Sequence, residues 1–522
     1  MILQNLVFPK EDICNEPELY FHGTTDGKIP AGNEADLFTY FNSFSAYKWK
    51  MYTKIKEVRF RLRCKGSCMV RLWDAGVTGG TMAVMENFTS EKHRQTDPEE
   101  VSLSFSLADV EGIVYATVRA DSDTEILGGC FETVFEPIQL AKIAIGICTF
   151  RREEFVKKTL ETLKRETMEN PDSPLYQNVY VYVSDNGQTL PCEELSNDRI
   201  FVMPNRNTGG SGGFGRCMKE AYEDREKYGL THILLMDDDI VLEPESLFRT
   251  YTLLNFLKEE RKGAMLGGGL LRLDIPYIQH ANGELWQGGR IGFTKRGYDL
   301  RRMTDVVRNE YNLPMDYNGW WYCCVPLAEQ FRGFPLPIFI HGDDIEYGLR
   351  FDGNIMTMNG IGVWHDAFDN RKASSMEYYD MRNTLIACAI HHPKFSRLRM
   401  IKRVARHLIG QMLHLRVKDQ ELTMKGVEDF CKGTDFLKEL DPTKLHPEIM
   451  KMGYAMQDVS DDLHKFGVDV EKTKPQPSHL YEDGGFAKKH LLSVNGWLLP
   501  AKKETAVLPM GVHPDTLYRR KT

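Results

Sequence analysis

Residues 231–239 read THILLMDDD, a short apolar run that ends in three consecutive carboxylates. An uninterrupted apolar run of this length is typical of a strand buried on both faces of a parallel sheet. Three adjacent carboxylates repel one another and resist ionising together. A divalent cation removes that conflict, and hard oxygen ligands suit Mg²⁺ or Mn²⁺. The segment therefore predicts a parallel sheet with a metal site at the end of one strand.

Side-chain alternation divides the three carboxylates into two groups. In an extended segment successive side chains point to opposite sides, so Asp237 and Asp239 point together and Asp238 points away. Asp237 and Asp239 are thus the expected metal ligands, and Asp238 is expected in a supporting role. The alternative is an acidic loop that caps a helix beginning near Pro244.

Strands and helices alternate on both sides of this segment. Residues 142–148 (KIAIGIC) and 178–183 (NVYVYV) are further apolar runs of strand length. The alternation predicts an α/β domain over residues 139–390, with a parallel sheet that binds ligands at the carboxyl ends of its strands. Asp185 and Asp237 both fall at such ends.

Two helices of this domain carry specific expectations. The first is expected over residues 153–166, with Phe155 and Leu160 on its buried stripe. The second follows a loop with five glycines, residues 205–216 (NRNTGGSGGFGR), and carries Arg216. The loop matches neither a Walker A pattern nor a dinucleotide fingerprint. Its glycines allow backbone amides to approach a phosphate or a sugar closely.

Residues 1–138 are expected to form an N-terminal β-sandwich. Residues 57–64 (EVRFRLRC) and 101–107 (VSLSFSL) alternate strictly between apolar and polar side chains, which predicts strands with one buried face. Short strands separated by glycine-rich turns are typical of a sandwich. Such a domain presents a sugar-binding face or serves as a structural partner.

Residues 391–522 are expected to be mainly helical. Within them, residues 394–418 are basic and amphipathic and contain no acidic residue. One interpretation is peripheral docking on an anionic membrane surface. The other is an interdomain helix with a solvated basic face. Its apolar side chains are expected to share one face and are Ile401, Val404, Leu408 and Met412.

Composition narrows the class of protein. A chain of 522 residues is expected to form more than one domain. Its formal net charge of −8 argues against nucleic acid as a partner. Neither a secretory leader nor an apolar run long enough to span a bilayer is expected. The 11 scattered cysteines favour reduced thiols in a cytoplasmic protein.

Two further clusters carry groups suited to catalysis. Residues 339–350 (FIHGDDIEYGLR) place Asp343 and Asp344 just before a helical segment. A carboxylate at such a position serves as a general base, or as a helix N-cap. Residues 361–368 (IGVWHDAF) place His365 at the end of a short strand, where an imidazole suits Mn²⁺ as a third protein ligand.

Aromatic side chains add features of a sugar-binding site. Trp320 and Trp321 are adjacent, and His280, Glu284 and Trp286 lie together in the segment HANGELW. Sugars present C–H faces to aromatic rings and hydroxyls to carboxylates and imidazoles. The alternative is core packing, because tryptophan is generally well buried.

Taken in order along the chain, these motifs resemble those of family 2 glycosyltransferases, and specifically the bacterial galactofuranosyltransferases that extend cell-wall galactan. The resemblance implies a Rossmann-like GT-A catalytic domain between the N-terminal β-sandwich and the helical C-terminal region. Here Arg151-Arg152 precedes Glu153, where family members often carry Asn-Arg-Pro. The motifs are Cys148-Thr149-Phe150-Arg151-Arg152, Ser184-Asp185-Asn186-Gly187, NTGGSGGF at residues 207–214, Met236-Asp237-Asp238-Asp239, Trp320-Trp321, Asp343-Asp344-x-Glu346-Tyr347-Gly348 and Trp364-His365.

The resemblance also implies roles for individual residues. They are Asp344 as catalytic base; Asp237, Asp239 and His365 as metal ligands; Arg152, Asp185, Asn207, Arg216 and Asp238 at the nucleotide or its diphosphate; and Trp320, Trp321, His280, Glu284 and Asp343 around the sugar and acceptor.

The reaction implied is an inverting, metal-dependent transfer of galactofuranose from UDP-galactofuranose to a cell-surface glycan or lipid-linked acceptor, in cell-wall polysaccharide biosynthesis. The enzyme is expected in the cytoplasm, peripheral to the inner face of the membrane, and a homo-oligomer is compatible with the sequence. Two alternatives stay open. One is a family 2 transferase with UDP-glucose or dTDP-rhamnose as donor, and the other is a non-catalytic carbohydrate-binding protein.

Overall fold

The computed structural model describes residues 1–76, 83–84, 89–366, 373–392, 394–413, 416–458 and 518–520. Most of the expected C-terminal tail beyond residue 458 lies outside the described residues.

The N-terminal region is a domain of strands that belong to one eight-stranded hydrogen-bonded sheet. Its long central strand pairs with β8 through residues 59–65 and with β7 through residues 68–76, and its register with β6 shifts near Gly66. The expected alternation is confirmed, since Val58 and Phe60 are buried. The elements are β1 (Ile2–Asn5), β2 (Lys28–Ile29), β3 (Glu34–Asp36), α1 (Ala46–Tyr52), β4 (Glu57–Gly76), β5 (Ala83–Val84), β6 (Thr89–Ser106), β7 (Gly112–Ala120) and β8 (Thr124–Glu132).

The next region is the expected α/β domain. Its elements are β9 (Ile143–Thr149), α2 (Glu153–Leu163), β10 (Val179–Asp185), α3 (Cys192–Leu195), β11 (Ile200–Pro204), α4 (Gly209–Tyr228), β12 (His232–Asp237), β13 (Val241–Leu242), α5 (Pro244–Asn255), β14 (Met265–Gly267), β15 (Gly269–Arg272), β16 (Gln279–Ala281), β17 (Glu284–Trp286), β18 (Ile291–Phe293), α6 (Met303–Asn309), β19 (Cys323–Pro326), α7 (Asp343–Leu349), β20 (Ile355–Met356) and β21 (Gly362–His365).

A seven-stranded sheet in the order β11-β10-β9-β12-β19-β14-β20 forms the centre of this domain. Strands β11, β10, β9 and β12 run parallel, which confirms the prediction of a parallel sheet. The register pairs Asp185 with Thr149 and Asp237 with Cys148. The carboxyl ends of three neighbouring strands therefore meet at one edge, where ligands of such sheets bind.

A smaller sheet in the order β13-β21-β15-β16 lies beside the aspartates. Strand β13 follows Asp239 directly, and its pairing places Val241 opposite Trp364. This antiparallel register brings His365, the residue after Trp364, back toward the three aspartates. Backbone pairing thus joins two motifs that are about 125 residues apart in the sequence.

Two expectations about the helices are wrong. Phe155 was expected in the buried stripe of α2, but its side chain is 54% exposed and Val156 is buried instead. The glycine-rich segment was expected to be a loop, but α4 begins at Gly209 and includes all five glycines. The reason is close packing, because a Cβ at Gly213 would collide with the sulfur of Cys148 on β9.

The C-terminal region is helical, as expected, and α8 packs against α10. Its helices bury a cluster that includes Tyr378, Leu422 and Ile449. No helix in the described part of the chain is long and apolar enough to cross a membrane. The elements are α8 (Met376–His391), α9 (Arg397–Leu413), α10 (Val417–Cys431), α11 (Thr434–Glu439), α12 (Pro442–Met452), β22 (Met456–Asp458) and β23 (Tyr518–Arg520).

The basic segment forms α9, and the apolar face expected on it is only partly buried. Val404 is buried and Leu408 packs partly against the core. The rest of this face is an exposed apolar stripe, because the core contacts only one side of the helix. The exposed stripe consists of Leu398, Ile401, Ile409 and Met412.

Candidate active site

The three aspartates at the end of β12 form an ion-pair cluster with Arg152. Nη1 of Arg152 lies 2.9 Å from Oδ1 of Asp238 and 2.7 Å from Oδ2 of Asp239. The hydroxyl of Thr149 donates to the other oxygen of Asp238 at 2.7 Å. Asp238 is therefore held by the end of β9 and the loop after it, and Arg152 of that loop also contacts Asp239.

His365 joins this cluster through the pairing of β21 with β13. Its Nε2 lies 2.9 Å from Oδ1 of Asp239 and 4.0 Å from Oδ2 of Asp237. Burial works to lower the pKa of His365, but the hydrogen bond to Asp239 and the two nearby carboxylates raise it overall. Burial raises the pKa of Asp237 to about 6, and repulsion from its two neighbours adds to this effect. The cluster thus gathers negative charge that a cation would stabilise.

The donor atoms of this cluster fit a hard divalent cation. Two ligands about 2.1 Å from an ion at a right angle are about 3 Å apart. In the structure a hydrogen bond joins His365 Nε2 and Asp239 Oδ1, 2.9 Å apart, and an ion bound to both atoms would replace that bond. Within the part of the chain that the structure describes, however, no three acidic, histidine or cysteine side chains are already arranged as a metal-binding group. Asp237 would have to turn toward the ion, and metal binding stays a prediction.

Asp343 and Asp344 begin α7, after a strained segment of backbone. Phe339 and His341 have positive φ angles of 76° and 64°, and Gly342 follows with 80°. Conformations of this kind cost about 1–3 kcal/mol for each residue other than glycine, so surrounding contacts must hold them. The strain therefore lies directly before the expected catalytic base.

The side chain of Asn383, on α8, holds this strained segment. Its Nδ2 donates to the carbonyl oxygens of Ile340 at 2.8 Å and His341 at 2.7 Å, and it lies 3.2 Å from that of Ile338. The Nε of Arg382 donates to Oδ1 of Asn383 at 2.9 Å, which fixes the orientation of the amide. One amide thus sets the path of the chain into α7.

Both carboxylates of this pair are shifted toward neutral pH. Burial raises the pKa of Asp344 to about 6. Burial also raises the pKa of Asp343 to about 7, and the charge of Asp344 adds to it. A pKa close to neutral suits a group that must accept a proton and release it again. The geometry also places Asp343 against α4, because a Cβ at Gly210 would contact Oδ2 of Asp343 at 3.3 Å.

Glu284 lies in the same region and has an unexpected partner. It is buried on β17, and the hydroxyl of Tyr317 donates to its Oε2 at 2.5 Å. Burial raises the pKa of Glu284 to about 7, the hydrogen bond from Tyr317 opposes this, and the charge of Asp344 adds to the rise. Glu284 and Asp344 are therefore close enough to interact electrostatically.

The two tryptophans are both buried but differ in their contacts. The indole N–H of Trp321 donates to the carbonyl of Gly268 at 2.9 Å, which indicates a structural role. Trp320 packs edge-on against Phe214 of α4 and Tyr347 of α7. Among the described residues, the buried N–H of Trp320 has no hydrogen-bond partner. His280 is buried on β16. Their sugar contacts stay predictions.

The expected nucleotide residues lie in different surroundings. Asp185 is fully buried, and its carboxylate accepts the backbone N–H groups of Gly187, Thr189 and Leu190 at 3.0, 2.7 and 2.8 Å. It thus organises the loop after β10. Arg216 pairs with Glu220 at 2.9 Å along the surface of α4. Nucleotide contacts of both side chains stay predictions.

A cavity of about 350 Å³ opens at this edge of the sheet. Asn207 lines it, together with Phe150 and Arg151 from the loop after β9 and residues 186–188 from the loop after β10. Arg152 and Thr149, which contact Asp238, belong to the same loop as Phe150. The cavity is therefore next to the carboxylate cluster.

Three parts of the site were not predicted from the sequence. Tyr317 lies just before the Asn-Gly-Trp-Trp motif, and its position beside that motif could have indicated a place in the site. Asn383 and the residues of α12 that line the cavity carry no local signal, because their roles depend on contacts between distant parts of the chain.

Two family models match the chain in agreement with this geometry. Residues 144–297 match the model described as glycosyl transferase family 2. Residues 6–133 match the model of the galactofuranosyltransferase 2 N-terminal domain. With its parallel sheet and the acidic cluster at the strand ends, the chain is a glycosyltransferase with a family 2 catalytic domain.

Its curated relatives include two galactofuranosyltransferases called GlfT2. The chain is 28% identical over 465 residues to the protein of Mycobacterium tuberculosis, an alignment that covers 83% of this chain and 70% of the relative. It is 27% identical over 482 residues to the protein of Mycolicibacterium smegmatis, covering 85% and 71%. Among solved structures, a mannosyltransferase from Pyrobaculum calidifontis in complex with GDP-Man and Mn²⁺ has a TM-score of only 0.30, with 10% identity over 62% of this chain and 88% of that one. The chain therefore resembles galactofuranosyltransferases along most of its length.

Proposed function

We propose that this enzyme transfers galactofuranose from UDP-galactofuranose to a hydroxyl of a glycan or lipid-linked acceptor, with inversion and with a divalent metal. The observation that carries the proposal is the approach of His365 to Asp239 beside Asp237, in a chain whose relatives are galactofuranosyltransferases. Such a cluster suits the metal-bound diphosphate of a sugar nucleotide.

The carboxylate cluster is proposed to act on the leaving group of this reaction, and Asp344 on the acceptor. Bound at Asp237, Asp239 and His365, Mn²⁺ or Mg²⁺ would supply a positive charge for the departing diphosphate. Arg152, which pairs with Asp238 and Asp239, adds a further positive charge at the same place. Cys148 interacts electrostatically with Asp237 and Asp238 and also with Asp343, which supports a short separation between this cluster and α7.

Asp344 is the proposed general base. It removes the proton from the acceptor hydroxyl while that oxygen forms a bond to the anomeric carbon. The bond between this carbon and the diphosphate oxygen breaks on the opposite face, and UDP leaves with the electron pair. Because attack and departure occur on opposite faces, the anomeric configuration inverts. The raised pKa of Asp344, about 6, lets it accept the proton near neutral pH.

Glu284 and the aromatic side chains around it are proposed to hold the sugar and the acceptor. An ionised Glu284 would accept hydrogen bonds from sugar hydroxyls. The N–H of Trp320 would donate one, since it has no partner among the described residues. His280 and Asp343 complete the proposed pocket, and Trp321, whose N–H is bonded to Gly268, is proposed to form part of its wall. Asn207 lines the cavity proposed for the nucleotide.

The donor assignment is tested by incubating the full chain with Mn²⁺ and each of several sugar nucleotides, and measuring the release of UDP or dTDP. UDP-galactofuranose should be consumed fastest, and an Asp344→Asn variant should consume it at least about a hundredfold more slowly. Faster consumption of UDP-glucose or dTDP-rhamnose would assign another donor. A chain that binds no nucleotide with Mn²⁺ would favour the carbohydrate-binding alternative.

We also propose that α9 contacts an anionic membrane surface. Its exposed apolar stripe includes Ile401 and Met412, each more than half exposed. The basic residues Arg397, Arg399, Lys402 and Arg406 are exposed on the same helix. Apolar side chains flanked by cations are the combination that binds helices to anionic lipid surfaces.

A further inference from the structure

The cavity beside the carboxylate cluster has walls from two distant parts of the chain. One wall belongs to the loops of the catalytic domain and includes Phe150 and Asn207. The other wall is the beginning of α12, which contributes Pro442, Thr443 and His446. The C-terminal region therefore encloses a cavity at the ligand-binding edge of the sheet.

The size and position of this cavity favour one part of a sugar nucleotide. Small-molecule sites range from about 300 to 1,000 Å³. At about 350 Å³, this cavity is large enough for a nucleoside but not for a whole sugar nucleotide. Thr149 and Arg152 contact Asp238. Phe150 and Arg151, which lie between them in the sequence, line the cavity. A nucleoside here would direct its phosphates toward the aspartates.

Helix α12 is fixed in place by several contacts. Nδ1 of His446 lies 3.0 Å from the hydroxyl of Tyr379 on α8. The His446 ring also packs against Phe339, with ring centroids 5.0 Å apart. Leu445 and Ile449 are buried in the cluster that contains Phe339 and Tyr379. This wall is therefore a packed element of the fold.

We propose that α12 forms one wall of the nucleoside site and that His446 hydrogen-bonds the nucleobase of the donor. The inference rests on the proposed function, because it takes the donor to be a uridine nucleotide. When the Tyr379 hydroxyl donates to Nδ1, a neutral His446 carries its proton on Nε2. Uracil presents carbonyl oxygens that accept a hydrogen bond from such an N–H group.

Two other features of the cavity suit a nucleobase. Burial lowers the pKa of His446, which keeps its ring neutral at physiological pH. Phe150 is 45% exposed and offers an aromatic face on which a base can stack. The cavity thus combines an aromatic side chain with a neutral imidazole.

The test compares UMP and UDP binding to the full chain by calorimetry with Mn²⁺, in the wild type and in His446→Ala. Loss of one hydrogen bond should lower the affinity for both ligands by the same factor, roughly five- to tenfold. Lys444→Ala and Glu448→Gln, which change exposed residues of the same helix, are the matched controls and should bind as the wild type does.

Unchanged affinity of His446→Ala for both ligands would overturn the inference, as would weaker binding of UDP alone, which would place His446 at the diphosphate. A wild type that binds neither nucleotide would overturn the donor assignment and this inference with it. If His446→Ala does not fold, the wild type provides the test. UMP should protect His446 from carbethoxylation by diethyl pyrocarbonate, and equal labelling with and without UMP would overturn the inference.

Discussion

The hydroxyl of Tyr317 donates a hydrogen bond of 2.5 Å to Oε2 of Glu284, and the charge of Asp344 acts on the same carboxylate. Burial and Asp344 favour the protonated form of Glu284, whose pKa is about 7, while Tyr317 favours the ionised form. The tyrosine thus keeps Glu284 able to accept hydrogen bonds from sugar hydroxyls near neutral pH.

Replacing Tyr317 should move the pH dependence of catalysis. Without the hydroxyl the pKa of Glu284 rises, so the acidic limb of kcat/KM should shift to higher pH by about one unit. The measurement is the kcat/KM profile of Tyr317→Phe and the wild type from pH 5 to 9. Tyr311→Phe, a change at a half-buried tyrosine elsewhere in the domain, is the control. An identical acidic limb in Tyr317→Phe would show that Glu284 need not ionise.

Asp344→Asn should remove the general base while leaving the fold and the donor site intact. Turnover should fall by about 10²–10⁴-fold, the contribution typical of general base catalysis. The affinity for UDP with Mn²⁺ should change less than twofold. Asp352→Asn, at an exposed residue shortly after α7, is the matched control and should keep wild-type turnover. Full activity in Asp344→Asn would rule out this residue as the base.

Removal of a ligand from the acidic cluster should abolish metal-dependent binding of UDP. Asp239 is the most informative position, because it contacts both His365 and Arg152. In Asp239→Ala, calorimetry should give the same weak UDP affinity with Mn²⁺ and with EDTA, whereas the wild type should bind more tightly with Mn²⁺. Metal-dependent binding that survives in Asp239→Ala would place the ion elsewhere.

The sequence predicted the functional side chains of the site better than the contacts that hold them in place. The apolar run before Asp237 was enough to identify a buried strand, because period and composition are local properties. His365 was expected as a third ligand from its place at a strand end, but the way it reaches the aspartates was not predicted, since it depends on the register between β13 and β21. The glycines of α4 were taken for a loop because their isolated helix propensity is low, whereas tight packing against Cys148 requires a glycine at position 213.

The same reasoning explains what was not predicted. Phe155 has the apolar character of a buried residue, but the phase of α2 turns it outward and Val156 inward. Asn383 contacts residues more than 40 positions away, and His446 lines a cavity together with residues more than 230 positions away. Polar residues in helices look alike in sequence, and only the tertiary structure shows which of them holds a strained segment or closes a cavity.

Asn383→Ala should lower kcat more than it affects donor binding. Loss of the amide frees the carbonyls of Ile340 and His341 and lets the strained segment before Asp344 relax. We expect kcat to fall at least tenfold while the affinity for UDP with Mn²⁺ stays within twofold. The measurements are steady-state kinetics and calorimetry, and thermal unfolding monitors the fold. Equal losses of kcat and UDP affinity would contradict a role confined to placing Asp344.

A single charge in the exposed stripe of α9 should weaken membrane binding without affecting catalysis. Ile401 is 52% exposed and lies on the same helix as exposed cationic residues, so Ile401→Glu removes an apolar contact and adds repulsion from anionic lipids. Co-sedimentation with vesicles of phosphatidylglycerol and phosphatidylcholine should fall severalfold, while turnover of a soluble acceptor stays the same. Met450→Glu, at a 50% exposed residue of α12, is the control and should sediment as the wild type does. Equal sedimentation of Ile401→Glu and the wild type would leave α9 as a solvated interdomain helix, the alternative that its sequence also allows.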